Sequence, residues 1–285
     1  VSVRVRLLVA GNSRQSERFS RRRGGGGHVR FPATVALLQH EQHGAVLFDT
    51  GYADRYFTAT TPLPQRLYRW LLPVELPAGH SASAQLAALG VRPTEVGTVV
   101  LSHLHADHLA GLGDFPAAGV VWAAATSLHG ALPGRRPSFT TAVRTTRHGF
   151  LPELLPADVL SRLTPAEELP AADTGLPGFE AGHDLFGDGS ALLVPLPGHC
   201  PGHLGLWLPR TQGPPLFLVG DACWHREAFR SGDLPPERVL SMLSDAADYR
   251  ATVDRLAGLA RARPDILIVP SHCSTSVAEA TRVLG

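Results

Sequence analysis

The apolar positions of this chain fall into short runs separated by turn residues, and the period of each run predicts its element. Residues 4–11 (RVRLLVAG) alternate and predict a first strand. Two β-rich runs, 33–41 (ATVALLQHE) and 44–51 (GAVLFDTG), meet at His43 and Gly44 and predict a hairpin. Residues 54–80 are mixed, with an apolar segment at 68–73 (YRWLLP). Residues 81–90 (SASAQLAALG) open on Ser, run through helix formers and end on Gly, which predicts a short helix. The runs 97–101 (GTVVL) and 119–125 (GVVWAAA) predict buried strands. The β pattern returns at 190–198, 203–209, 215–221 and 265–272, with an amphipathic helix at about 246–262 and a short helix at the end of the chain. Strand pairs in both halves, each followed by helices, predict an α+β sandwich.

Two segments break this pattern. RRRGGGG (21–27) lacks the GK[ST] ending of a phosphate loop and predicts a flexible, solvated turn. Residues 126–180 are rich in proline and poor in β patterning. A structureless loop of that length is improbable inside a compact domain, so short helical pieces such as 156–163 (PADVLSRL) are expected there. The segment is expected to be a cap or lid inserted into a single domain spanning 1–285.

Composition narrows the function classes. The chain has 285 residues, of which 44 % are hydrophobic and 18 % charged, so it can bury a sizeable core. A net charge of +1 gives no reason to expect a nucleic acid or a membrane surface as partner. The 26 basic residues are all arginine, which excludes Schiff-base and P-loop lysine chemistry. Three widely spaced cysteines make a disulfide framework unexpected and favour a reducing compartment. No run reaches the roughly 18 apolar residues that a membrane span needs. The expectation is a soluble, cytoplasmic protein, with a homodimer left open.

The candidate chemistry sits at strand ends. Behind the run 97–101 comes LSHLHADHLAG (101–111), which places His103, His105, Asp107 and His108 within six positions. Neutral imidazoles and carboxylates are ligands for zinc and its neighbours. His103 and His105 are two apart and point the same way at a strand end, while Asp107 and His108 follow the turn and can face a second ion. Further candidates close other strands: His199 and His203 in PLPGHCPGH (195–203), Asp221 in LFLVGDAC (216–223), and His272 in DILIVPSHC (265–273). A carboxylate ending a buried strand is costly unless paired or bound to metal, which makes Asp221 informative; the plainer reading is a helix cap. His199 follows the bend Pro197-Gly198 and is preferred over His203 as a ligand. Cys200, Cys223 and Cys273 all lie within two residues of these positions and are read as packing behind the site, with thiolate ligation and oxidative inactivation as the sharper alternatives.

FDTG (48–51), SHLHADH (102–108), PGHCPGH (197–203), GDA (220–222) and SH (271–272) together resemble the metallo-β-lactamase-fold hydrolases in type and order. The resemblance covers most of the chain and implies a four-layer αββα sandwich with a dinuclear metal centre at one edge. It further implies that His103, His105 and His199 hold one ion, that Asp107, His108 and His272 hold the other, and that Asp221 bridges them. Within the family the motif order is most like that of the N-acyl homoserine lactone lactonases. Two departures matter. Those enzymes carry a tyrosine three residues after the bridging aspartate, where this chain has Trp224, which offers one N–H and cannot ionise. The interval between His108 and His199 is also longer than in those lactonases, so the 126–180 segment is expected to reshape the pocket.

The reading that follows is hydrolysis of a lactone or a related ester or thioester. Two divalent ions sharing a hydroxide would activate it against a carbonyl. Asp107 would ligate and also take and return the proton. Asp49, from FDTG, would orient a ligand histidine, or else form a local turn before Gly51. His183 and Asp184 belong either to a lid or to a plain turn. Zinc is the default for this donor set, with iron, manganese and cobalt accepted by the same ligands. The substrate is expected to be a small molecule with an apolar acyl part, near Trp224 and also Tyr68 or Trp70. Phosphodiester cleavage and glyoxalase-II-like thioester hydrolysis are the enzymatic alternatives, the latter if Arg255, Arg261 and Arg263 face the site. The non-enzymatic alternative is a metal-containing ligand-binding module with little turnover.

Overall fold

The computed structural model describes residues 2–122, 135–243 and 245–285. Among these residues, β1 (Arg4–Ser16), β2 (His28–His40), β3 (Gly44–Phe48), β4 (Val74–Glu75), β5 (Val96–Val100), β6 (Gly119–Trp122) and β7 (Leu163–Pro165) form one sheet, in the order β4-β1-β2-β3-β5-β6-β7. A second sheet holds β8 (Ala171–Asp173), β9 (Ala181–Asp184), β10 (Leu192–Pro195), β11 (Leu204–Leu208), β12 (Leu216–Gly220) and β13 (Leu267–Pro270), in the order β13-β12-β11-β10-β9-β8. The β3-β5, β5-β6 and β12-β13 pairs are parallel, so several carboxyl ends collect at one edge of the sandwich.

Alternation along the strands builds the layers. On β2, Ala36 and Leu38 face the second sheet, where Leu193, Leu206 and Leu218 meet them. Its neighbours Val35 and Leu37 face the other way and pack with Tyr56, Leu86 and Leu109 from helices. The outer face of the second sheet is covered by the helix Ala246–Ala262, whose Tyr249, Val253 and Leu256 pack on Val194, Phe217 and Ile268. Asp245 caps that helix by accepting the N–H groups of Ala247 and Asp248. The result is the expected α+β architecture, a four-layer αββα sandwich.

Several elements depart from the sequence reading. β1 runs on to Ser16 because Gly11, at φ +88°, forms a bulge, after which pairing with β2 resumes at Asn12. RRRGGGG is not a loose turn. Arg21 bridges Glu17 and Asp233 at 2.9 and 3.0 Å, Arg22 reaches Glu237, and Asp233 and Glu17 accept the N–H groups of Arg23 and Gly25. The mixed stretch 54–80 contains the helices Asp54–Ala59 and Gln65–Leu71 as well as β4.

Residues 123–125 of the expected strand and 126–134 of the expected cap lie outside the described residues. The rest of that segment holds the helix Phe139–Arg147, the short helix Val159–Arg162, and two strands that were not expected. β7 pairs with β6 and β8 with β9, so the segment is stitched into both sheets. Strands of three residues have too few positions to show a two-residue period. Among the described residues, no helix is long and apolar enough to cross a membrane.

Gly51 shows how tightly the site edge is packed. Its φ is +66°, and an added Cβ would lie 2.3 Å from the Cβ of Ala10. Gly51→Ala should lower unfolding free energy by about 2 kcal/mol or more, measured by urea denaturation. Gly90→Ala has a similar φ of +79° with open space around it, and should cost about 1 kcal/mol. Equal losses for the two variants would contradict the packing account.

Candidate metal centre

The site is assembled from five strand ends. β3 leads into Asp49, β5 into residues 102–108, β10 into His199, β12 into Asp221 and β13 into His272. Asp49 is fully buried and adopts the left-handed region at φ +62°, uncommon for a residue with a side chain. Its N–H donates to Val100 O at 2.7 Å. Its carboxylate accepts the Ser102 N–H at 2.7 Å and the Ser102 hydroxyl at 2.8 Å, and lies 2.7 Å from His108 Nδ1. Asp49 therefore grips a histidine and the start of the ligand loop instead of closing a local turn. The neighbours complete the anchor: Thr50 donates both its N–H and its hydroxyl to His108 O, and Gly111 N–H donates to Gly51 O. With Nδ1 engaged by Asp49, His108 turns Nε2 toward the site.

Two ligand-type groups form around one carboxylate. His103, His105, His199 and Asp221 can each offer an atom, and these atoms lie within 4.8 Å of one another. Asp107, His108 and His272 do the same. Asp221 faces both groups. Its Oδ2 lies 3.3 Å from His199 Nε2 and 4.0 Å from His103 Nε2. Its Oδ1 lies 3.4 Å from His108 Nε2, and both its oxygens lie 3.1 Å from His272 Nε2. Asp107 Oδ2 is 3.4 Å from His272 Nε2. His103 Nε2, His108 Nε2 and Asp221 Oδ1 are buried without a hydrogen-bond partner. Buried polar atoms are nearly always paired, so orphaned atoms converging on one point fit a pair of cation sites.

Electrostatics divide the histidines. Burial, reinforced by neighbouring imidazoles, holds His103 and His199 well below the usual histidine range, and burial lowers His105 as well. These three are neutral donors at physiological pH. Burial also opposes charge on His108 and His272, but Asp49 and Asp221 outweigh it at His108, and Asp221 outweighs it at His272, so both are raised. Burial disfavours the Asp221 carboxylate, yet His272, His108 and His199 keep it well below the usual range.

The remaining candidates are placed as follows. His203 belongs to neither group: its Nε2 accepts the Asp221 N–H at 2.9 Å, which fixes the backbone of that residue. Burial depresses His203 to about 4, so it remains the neutral acceptor. Trp224 donates its N–H to Asp221 Oδ2 at 3.0 Å and stacks on Phe19, with ring centroids 5.2 Å apart. That donor is therefore spent on a ligand carboxylate. Asp184 accepts the N–H groups of Phe186, Gly187 and Gly189 in its own turn, and His183 sits on β9. Arg255 lies over Phe179 and donates to Gly178 O, while Arg263 pairs with Asp265. Cys223 and Cys273 are buried, and burial pushes the thiols of Cys200 and Cys223 up, away from thiolate character. Nothing in the spacing of SHLHADH gives Ser102 a role, and its links to Asp49 and to His103 Nδ1 at 3.0 Å arise only in three dimensions.

A cavity of about 510 Å³ opens on this centre. His105, Asp107, His199, Asp221 and His272 line one side of it. Phe19, Phe31, Leu104, Phe150, Val239 and Leu243 give it an apolar side.

Because the neighbouring carboxylates favour the protonated forms of His108 and His272, which a cation must displace, divalent-ion affinity should weaken as pH falls. Calorimetry at neutral pH in buffers of different ionisation enthalpy should show release of about one to two protons on binding. Binding with no proton release would contradict the assignment. Asp49→Asn should weaken ion binding about 10- to 100-fold, measured by competition with a chelating dye.

The family model described as "Metallo-beta-lactamase superfamily" matches residues 28–272. The chain is 25 % identical over 283 residues to N-acyl homoserine lactonase AttM of Azorhizobium caulinodans, covering 95 % of this chain and 93 % of that one. It is 30 % identical over 248 residues to a probable metallo-hydrolase of Mycobacterium tuberculosis, covering 83 % and 73 %. Among solved structures, an N-acyl homoserine lactone hydrolase with N-hexanoyl-L-homoserine at its catalytic metal centre superposes with a TM-score of 0.71 at 17 % identity, covering 99 % of this chain and 98 % of that one. AidC, a dizinc quorum-quenching lactonase, gives 0.62 at 17 % identity, covering 95 % and 88 %. The chain belongs to the metallo-beta-lactamase superfamily and is a metal-dependent hydrolase.

Proposed function

We propose that this protein hydrolyses a lactone, or a related ester or thioester, at a dinuclear metal centre. The observation that carries the reading is Asp221, whose carboxylate lies between two ligand groups beneath a cavity with an apolar side. His103, His105 and His199 would hold one ion, Asp107, His108 and His272 the other, and Asp221 would bridge. Zinc suits the donor set, and iron, manganese or cobalt accept it too. When bound, such ions supply Lewis-acid activation of water and of an acyl oxygen.

The side chains supply the rest. Asp107 is half-buried and lines the cavity beside His272, so its carboxylate can take a proton from the attacking water and return it to the leaving oxygen. Phe19, Phe31, Phe150 and Leu243 can cover an acyl chain and exclude water from it. The helix Phe139–Arg147 and the turn after it bring Arg147 to Phe150 onto the cavity, which supports this part of the 126–180 segment as a cap. The AttM relative and the AidC structure bear lactonase names, which supports a lactone as first choice. None of Arg255, Arg261 and Arg263 lines the cavity among the described residues, which removes the main support for a glutathione-type thioester.

Acyl lactones of varied chain length, aryl esters, thioesters and bis-aryl phosphates should be assayed with metal analysis of the same preparation. Lactones or esters should be the best substrates, and His105→Ala and Asp107→Ala should each lower kcat/KM by a factor of about 10² or more. Full activity in both variants with unaltered metal content, or a preference for the phosphodiester, would defeat the reading.

A further inference from the structure

Few hydrogen-bond donors facing the cavity are free to meet a substrate. The Trp224 N–H is held by Asp221, and the Gln15 amide donates to Leu71 O at 3.2 Å. Tyr52 also lines the cavity, but it is 3 % exposed, with its ring packed in the core against Tyr56. Arg147 lines the cavity but is solvent-exposed, where its charge is screened. Tyr68 differs. It is half-buried, its ring packs against the core behind β1 and β2, and it lines the same cavity as Asp107, His199 and Asp221. Its hydroxyl makes no hydrogen bond with the described residues.

The backbone beneath Tyr68 is fixed. The helix Gln65–Leu71 is pinned by Gln65 Nε2 to Glu153 at 2.7 Å, by Arg66 to Thr61 O at 2.7 Å, and by Arg69 to Phe57 O at 3.1 Å. Leu67, Trp70 and Leu71 occupy its exposed face, which leaves Tyr68 as the residue of this helix turned to the site. A phenol held on a pinned helix next to carboxylates loses little freedom when it meets a substrate. Burial, and after it the Asp107 carboxylate, raises the Tyr68 pKa well above the usual phenol range, so the group remains an O–H donor at neutral pH.

We propose that Tyr68 is a catalytic residue, whose hydroxyl donates a hydrogen bond to the oxygen of the scissile acyl group as negative charge gathers on it. The inference rests on the proposed acyl-hydrolase activity and deepens it. No covalent bond forms to Tyr68 and its proton stays on the phenol. The hydrogen bond strengthens as the oxygen becomes anionic, so its contribution belongs to the transition state more than to the bound substrate.

The test uses the metal-loaded protein and the lactone or ester that the wild type cleaves fastest. Tyr68→Phe removes only the hydroxyl. It should lower kcat about 10- to 100-fold with KM changed much less, while metal content and melting temperature stay at wild-type values. It should also lose affinity for an alkyl phosphonate, which mimics the anionic tetrahedral state, by a similar factor. Wild-type kcat and phosphonate affinity in Tyr68→Phe would overturn the proposal and leave the hydrolase reading standing. Loss of bound metal in that variant would overturn it too, because the residue would then be supporting the centre and not the acyl oxygen. A wild type that cleaves no acyl substrate would overturn both readings together.

Discussion

The structure is organised around one buried carboxylate. Asp221 is 3 % exposed, and no arginine pairs with it among the described residues; its partners are imidazoles, an indole N–H and the space between two ligand groups. A charge in that position costs several kcal/mol unless it is compensated on every side. The compensation comes from far along the chain: His103 and His108 from behind β5, His199 from behind β10, His272 from behind β13. Parallel pairing aligns β5 with β3 and β13 with β12, and two antiparallel steps return β10 to the direction of β12, so these strand ends meet at the same edge. The sandwich is thus the means by which residues distant in sequence surround one acid.

Around that centre, a ring of supporting contacts leaves the reactive atoms free. Asp49 takes His108 Nδ1, Ser102 meets His103 Nδ1, Pro32 O meets His272 Nδ1, and His203 holds the backbone of Asp221. In three of the histidines this leaves Nε2 for the site, a division that one-dimensional spacing cannot impose. The support extends to the surface. The ion pairs of Arg21 and Arg22 hold the end of the short helix Glu17–Ser20 that carries Phe19, Phe19 stacks on Trp224, and Trp224 donates to Asp221.

Much of this was legible in the chain because the ligands end recognisable strands. GTVVL, LFLV and DILIVP are apolar runs that stop at a histidine or an aspartate, and such polar endings are costly without a function. The sandwich class was legible for the same reason, since the strands of both sheets that bear the core show clear alternation. Three things were hidden. Gly11 reads as the end of a strand, yet it is a bulge within one, because turn and bulge use the same positive φ. β7 and β8 are too short to carry a period. The arginine-rich loop looked solvated because two of its three acidic partners, Asp233 and Glu237, lie over two hundred residues away and only Glu17 is local. The cavity's apolar side was hidden too: Phe19, Phe31 and Leu243 belong to no motif and meet only in the folded chain.

The claim that Asp221 is shared by two ions can be tested by magnetic coupling. Metal-depleted protein would be titrated with Mn(II) and followed by electron paramagnetic resonance, with Asp221→Ala alongside. The account predicts uptake of two ions per chain with the spectrum of a coupled pair in the wild type, and loss of that coupling in the variant. A single ion per chain, or two ions that remain uncoupled in the wild type, would contradict it.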